Sequence, residues 1–429
     1  PLFLLIGRIF SFLAMGDVTK VAYWINFSSV LASAFTSLFL FWSITLFGRK
    51  LLKLGNDAEI ETGHIWTLMG AGLVGAMAYT FSDSAWFSAV EAEVYAMSSF
   101  FTAFVIWAML KWDVIEDESK ANRWLLLIFY MMGLSIGIHL LNLVTIPALA
   151  LIYYFKKYKP TTWGVVAAML VSLLIIFFIN DIIIPGLPSI AGKFEVIFVN
   201  SLGLPFGSGA IFFTLVLLGG LVYGIMYSQR NNKVVLNTFM NAVAFILIGY
   251  ASYALVVIRS NDNPPIDEND PSDVMSFVSY LKREQYGSRP LLFGPYYYAQ
   301  PIDIKEGAAI FKKGKDKYEE VDRKFEYVYK ASDQTILPRI YSSDPDHIRI
   351  YEDNLGLRKG EKPNFGDNIA FMVDHQIGWM YVRYFFFNFA GRESDLQNAD
   401  WLKPANWFEE LPPSLASNKG RNNFFMIPF

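Results

Sequence analysis

The chain has 429 residues, of which 54% are hydrophobic, 17% aromatic and 17% charged, a balance too apolar for an ordinary soluble domain of this length. A formal net charge of −3 excludes a strongly basic surface for nucleic acid. The absence of cysteine removes disulfides, thiolate metal sites and cysteine nucleophiles.

Pro1 leads directly into Leu2-Phe3-Leu4-Leu5-Ile6, and 423–429 reads as the entry to another apolar segment, so both ends read as cut. The first apolar stretch, 2–15, carries Arg8 and is too short to span a bilayer, which needs about 20 apolar residues. It reads as an interfacial helix or the end of a truncated span. Eight longer runs follow, at 21–48, 64–81, 86–110, 123–138, 139–155, 162–184, 208–227 and 235–258. The 123–155 stretch is short for two helices, with a turn at Ile138-His139.

With eight spans, the basic loops fall on one face: Arg49, Lys50 and Lys53; Lys111, Lys120 and Arg123; Lys156, Lys157 and Lys159; Arg230 and Lys233. Short basic loops face the cytoplasm, so the alternate loops and everything after 258 are predicted to face outward. Residues 185–207, rich in Gly, Pro and Ser, read as an outer loop with a small surface helix. The fold class is therefore an all-α polytopic membrane protein. Its bundle occupies 1–258, and a mixed α/β or irregular extramembrane region occupies 259–429. Within that region 371–390 is apolar but interrupted by Asp374, His375 and Arg383, and could lie on the membrane surface.

Acids beside spans are costly and are therefore candidate site residues. Glu91 and Glu93 stand at the predicted outer start of the third long run, after Asp83. Two residues apart on a helix do not share a face, so one of the pair, Glu93 ahead of Glu91, is expected to point into a site. The other reading is a pair of helix-terminal acids favoured by the macrodipole. Asp83 reads as an N-cap. His139, at the predicted outer mouth between two helices, could contact a phosphate or serve only its own turn; no second His is near for a metal site. Arg8, Lys20, Arg259 and Arg383 are candidate phosphate partners or interfacial anchors. The acidic loop 263–270 could take a divalent cation, although it lacks calcium-loop spacing and a plain turn suffices. No phosphate-binding glycine loop or nucleophile elbow is present.

Three strings carry a resemblance: Trp86-Phe87-Ser88-Ala89-Val90-Glu91-Ala92-Glu93-Val94-Tyr95-Ala96, Gly133-Leu134-Ser135-Ile136-Gly137-Ile138-His139, and Asn263-Pro264-Pro265-Ile266-Asp267-Glu268-Asn269. With Arg283-Glu284-Gln285-Tyr286-Gly287 and Arg289-Pro290-Leu291-Leu292, they resemble a bacterial multi-pass family of unknown function described as protein O-mannosyltransferase-like and grouped with GT-C-fold glycosyltransferases. The resemblance implies a GT-C-like bundle in the bacterial inner membrane, with its polar region in the periplasm. It implies a polyprenyl-phosphate-linked sugar as donor and a secreted protein or glycan as acceptor. It further implies a principal catalytic acid in a first outer loop upstream of Pro1, with Glu93, and less closely Glu91, matching a second acid. His139, Arg8, Asp83, Arg259 and Arg383 remain candidate substrate contacts, and no metal ligand or certain cofactor is implied. A transporter or flippase of lipid-linked sugars, or a non-catalytic subunit of an envelope or secretion assembly, is the competing expectation. Transporters place charge at the midplane, whereas the acids here cluster near one face.

Overall fold

The computed structural model describes residues 1–55, 60–287, 289–358, 360–391 and 398–401; the apolar C-terminal segment at 423–429 lies outside them. The chain forms two units, one of residues 1–283 with 313–318, the other of 284–312 and the described residues from 319 onward.

The first unit is helical: α1 (Leu2–Ser11), α2 (Val21–Leu51), α3 (Thr62–Thr80), α4 (Asp83–Val90), α5 (Val94–Val114), α6 (Glu118–Ile136), α7 (Ile146–Lys157), α8 (Thr162–Phe177), α9 (Gly186–Val196), α10 (Ser208–Arg230), α11 (Val234–Tyr250), α12 (Ala254–Ser260) and α13 (Val274–Lys282). Among the described residues six stretches are long and apolar enough to cross a membrane; α3 and α4, bent by 66° at their break, give a seventh if counted as one span. The protein is thus a multi-pass membrane protein. The remaining predicted run is α6, whose first turns carry Glu118, Lys120 and Arg123 and leave only 124–136 apolar. It ends at Ile136, and a tight turn through His139 leads to the 3-10 segment Leu140–Thr145 and α7, so 123–155 is indeed two helices.

Polar contacts tie basic residues of two of the basic loops to the loop between α5 and α6 at one end of the bundle. Lys50 pairs with Asp113 at 2.5 Å and Lys157 with Glu118 at 2.5 Å. The Lys156 ammonium donates to the carbonyls of Ile115, at 2.8 Å, and Trp112. Inside the bundle, small residues let helices approach: the Ser37 and Thr80 hydroxyls join α2 to α3 at 2.7 Å. Bonds of this kind contribute about 0.6 kcal/mol each between membrane helices. The main core surrounds Trp112, Ile128, Ile136, Ile179 and Ile183.

Two expectations are corrected. The third long helix starts at Val94, not 86, because residues 83–90 form the separate helix α4. Residues 185–207 are mostly helix rather than loop. From α8 the chain runs through a wide-turn segment, Phe178–Ile183, into α9 and a second such segment, Ile197–Ser201. Pro185 and Pro188 lie at the N-cap and in the first turn of α9, where a missing N–H breaks no helical bond. The continuous apolar helical stretch Thr162–Ser201 has 40 residues, about 60 Å at 1.5 Å per residue, roughly twice the hydrocarbon thickness.

At the end of that stretch Glu195 is fully buried. Its carboxylate accepts from the backbone N–H of Gly207 at 2.5 Å and of Ala210 at 3.0 Å, neutralising the N-terminus of α10. The tip of a hairpin docks beside it. The Asn200 side chain pairs with the Tyr318 backbone in both directions, at 2.8 and 2.9 Å, and the Tyr318 ring meets Phe206 edge-on. Burial, reinforced by Asp273 and Glu195, pushes the Tyr318 phenol well above its usual range, so it stays a neutral donor facing Glu195. Replacing Glu195 by Ala strands two backbone donors, at about 1–3 kcal/mol each. The Glu195→Ala protein is expected to melt several degrees below wild type in detergent, and an unchanged melting curve would refute this role.

The second unit holds the antiparallel pair β1 (Phe293–Pro295) and β4 (Gln334–Ile336), most of the hairpin β2 (Pro301–Lys313) and β3 (Tyr318–Tyr329), and the helices α14 (Pro345–Leu355), α15 (Phe365–Phe371) and α16 (Arg383–Phe387). Tyr297, Ile340, Tyr351 and Phe371 form its core. Buried Asn368 ties the loop after β4 to α15: its Oδ1 accepts from the Arg339 N–H at 2.7 Å, and its amide donates to the Leu337 carbonyl at 2.9 Å. The fold class is therefore a polytopic helical bundle with a mixed α/β C-terminal part.

Candidate functional site

Glu91 and Glu93 lie in the break between α4 and α5, not on a helix. Glu91 is the C-cap of α4 and Glu93 the N-cap of α5, both with extended backbone, and the Glu93 N–H donates to the Glu91 carbonyl at 2.8 Å. The helix-face argument that separated the two acids therefore does not apply. Both are exposed. The Glu93 side chain makes no capping hydrogen bond, although its position at the helix N-terminus would favour one.

His139 is held at the same end of the bundle. Tyr95, two residues after Glu93, places its ring 5.7 Å from the imidazole, centroid to centroid. Ile138 packs with Ala96 and Met97 of α5 and Ala32 of α2, flanked by Leu2 and Ile6 of α1. The first N–H of α1, on Leu2, donates to the Gly137 carbonyl at 3.0 Å. Fully buried Asn142 braces the turn by donating to the Ser135 hydroxyl at 3.0 Å. His139 caps the following 3-10 turn: its Nδ1 accepts from the Leu141 N–H at 3.1 Å. A neutral imidazole accepting through Nδ1 carries its proton on Nε2. Burial, and secondarily the Arg283 charge, lowers the His139 pKa, which favours that neutral form.

The other candidates have contacts of their own. Arg8 bonds within α1, to the Ser11 hydroxyl at 3.3 Å and over the Phe12 ring. Lys20 pairs with Asp17 at 3.2 Å, and Arg259 pairs with Asp262 at 3.3 Å on the surface. Ser82, not Asp83, is the N-cap of α4, and Asp83 opens the first turn. Arg383 belongs to the second unit and is buried. It donates to the carbonyls of Trp379 at 3.0 Å and Ala399 at 2.7 Å, and its guanidinium lies 3.9 Å from the Trp379 ring centroid. These contacts make it a structural clasp. In the acidic loop, Asp267 and Asp270 converge on the Ser260 hydroxyl, at 2.8 and 3.1 Å. Among the described residues no group of three or more His, Asp or Glu could hold a metal ion.

Two open grooves, of about 540 and 290 Å³, lie at Lys233–Phe239 and between Trp42, Trp107 and Lys111; neither contains Glu93 or His139. Glu93 is instead an exposed carboxylate two residues before Tyr95, whose ring meets His139. A carboxylate can accept a proton from a hydroxyl, and the imidazole N–H can donate to an oxyanion.

No curated protein and no solved structure matches the chain. Residues 287–373 match a family of unknown function, DUF8416. Residues 1–162, which include Glu91, Glu93 and His139, match the family described as Protein O-mannosyl-transferase TMEM260 N-terminal domain. In this N-terminal part the chain is therefore similar to the protein O-mannosyltransferase-like family of membrane proteins.

Proposed function

We propose that this protein transfers a hexose from a polyprenyl-phosphate donor to a hydroxyl of a protein or glycan acceptor. The transfer takes place at the membrane face opposite the basic loops, which is the periplasmic face if the protein sits in a bacterial inner membrane. The observation that carries the reading is the O-mannosyl-transferase family match over the residues that include Glu93 and His139. The coarser statement, a glycosyltransferase-type membrane domain, rests on the same match.

In this reading Glu93 accepts the proton of the acceptor hydroxyl as that oxygen bonds to the anomeric carbon. The bond from that carbon to the phosphate oxygen breaks, and polyprenyl phosphate departs with its charge stabilised by donors such as the His139 Nε2–H. Glu91 stands next to this site as a second carboxylate. Exposed apolar faces along the spans suit the lipid tail.

The full-length protein in nanodiscs tests the reading. Supplied with an acceptor peptide and radiolabelled polyprenyl-phosphate mannose, or the nucleotide sugar instead, it is expected to label the peptide from the lipid donor alone. Movement of labelled lipid between leaflets without any transfer would favour a flippase and overturn the proposal.

A further inference from the structure

At the basic end of the bundle, α2 and α5 leave a groove of about 290 Å³ lined by Trp42, Thr45, Leu46, Trp107 and Lys111. The sequence sets this face on both helices. Trp42, Thr45 and Leu46 recur at i, i+3 and i+4 on α2, and Trp107 and Lys111 at i and i+4 on α5. Each set therefore stacks along one side of its helix. The two indole rings lie 5.5 Å apart, centroid to centroid. Trp107 is braced by Phe39 at 5.0 Å and by Trp124, edge-on at 5.4 Å. The floor of the groove is thus packed aromatic surface.

The one charged residue lining it is Lys111, in the last turn of α5. Among the described residues Lys111 has no acidic or hydrogen-bonding partner. Neighbouring cations are engaged: Lys50 by Asp113 at 2.5 Å, and Lys156 by the carbonyls of Ile115 and Trp112. The larger groove at Lys233–Phe239 differs, because Lys233 donates to the Tyr227 hydroxyl at 3.0 Å and lies 4.7 Å from its ring centroid. Only the α2–α5 groove joins an aromatic trough to a cation that no protein group neutralises.

We propose that this groove binds an anionic phospholipid of the leaflet on the basic side. Its phosphate sits on Lys111, and the upper part of one acyl chain lies against Trp42, Leu46 and Trp107. Both helices belong to apolar stretches long enough to cross the membrane, so lipid is the medium around them. Short basic loops mark the cytoplasmic side, Trp favours the headgroup level, and basic pockets between membrane helices on that side take anionic headgroups. The Thr45 hydroxyl donates its hydrogen to the Trp42 carbonyl at 2.9 Å, which leaves it no donor for a phosphate. Discrimination by charge therefore falls to Lys111. Along α5 this lysine stands about 26 Å from Glu93 at 1.5 Å per residue, so the site is separate from the transfer reaction and does not depend on it.

The test is native mass spectrometry of the full-length protein with dioleoyl phosphatidylglycerol and dioleoyl phosphatidylcholine, which share their chains and differ in headgroup charge. Wild type is expected to hold the anionic lipid about fivefold more tightly, the factor one lysine near a charged headgroup supplies. Lys111→Gln is expected to bind both lipids equally, Lys111→Arg to keep the preference, and Lys233→Gln to behave as wild type. Equal binding of the two lipids by wild type overturns the site, as does an undiminished preference in folded Lys111→Gln. A preference that Lys233→Gln lowers as much as Lys111→Gln overturns it too, since the attraction would then be diffuse. Displacement of phosphatidylglycerol by an equal concentration of polyprenyl phosphate would overturn the assignment to a phospholipid. Should Lys111→Gln fail to fold, a photoreactive phosphatidylglycerol on the wild-type protein decides. Crosslinks are expected at 42–46 and 107–111, and labelling only elsewhere overturns the proposal.

Discussion

Substitution of Gly249 by Leu is expected to abolish the folded protein. Gly249 of α11 and Gly133 of α6 meet backbone to backbone. A Cβ on Gly249 would lie 2.4 Å from the Leu134 nitrogen, and one on Gly133 would lie 2.4 Å from the Ile246 carbonyl oxygen. Both obstacles are main-chain atoms, so no rotamer change relieves them. Glycines at such crossings let membrane helices pack through van der Waals contact, since lipid supplies no hydrophobic drive between them. Even Gly249→Ala must push the two helices apart, at about 1–3 kcal/mol of overpacking, and Leu exceeds that range. In detergent, Gly249→Leu should give almost no monodisperse protein by size-exclusion chromatography, and Gly249→Ala a clearly lowered melting temperature. Gly219→Leu is the control: that position on α10 has nothing within 4 Å and should behave as wild type. Normal yield and melting of Gly249→Leu would show that the α6–α11 contact is looser than described.

The second large effect is expected at Glu93. Conversion to Gln keeps its shape and removes its capacity to accept a proton, so sugar transfer should fall by about 10²–10⁴-fold in kcat, with KM for the lipid donor little changed. Folding should be unaffected, because the carboxylate is exposed and caps nothing. The same substitution at Glu91, on the α4 side of the break, is expected to cost less. Transfer rates in Glu93→Gln equal to wild type would remove Glu93 from the mechanism. A fall of equal size at both acids would point to the break itself rather than to one base.

The apolar runs and the alternation of basic loops carried most of the helical architecture, because each membrane helix must hide its own backbone and leaves that demand in its composition. The basic residues that converge as Lys50–Asp113 and Lys157–Glu118 were legible as neighbours for this reason. Punctuation misled at 185–207. Proline and glycine there start and pack a helix, and only the surrounding structure distinguishes that use from a turn. At Glu91 and Glu93 the expected helix is a break, since the preceding apolar residues suit either state. Arg383 read as a phosphate partner or an interfacial anchor because a cation in an apolar run suggests function; its Trp379 contact is one helical turn away, whereas the Ala399 carbonyl, 16 residues on, is a partner that no local pattern reveals.

Glu195 and the hairpin tip also bear on the order in which the chain can assemble. Asn200 and Tyr318 are 118 residues apart, whereas Glu195 meets the N–H groups of Gly207 and Ala210 only 12 and 15 residues away. During synthesis the buried acid therefore finds its compensating donors as soon as α10 begins. The tip arrives long afterwards, at a receptor already built, and closes the longest of these loops last. Distant contacts of this kind carry a loop-closure cost and are slow to form. The seat for the tip is thus a checkpoint in time: the helical unit can be finished and waiting before the ribosome has made the residue that completes it.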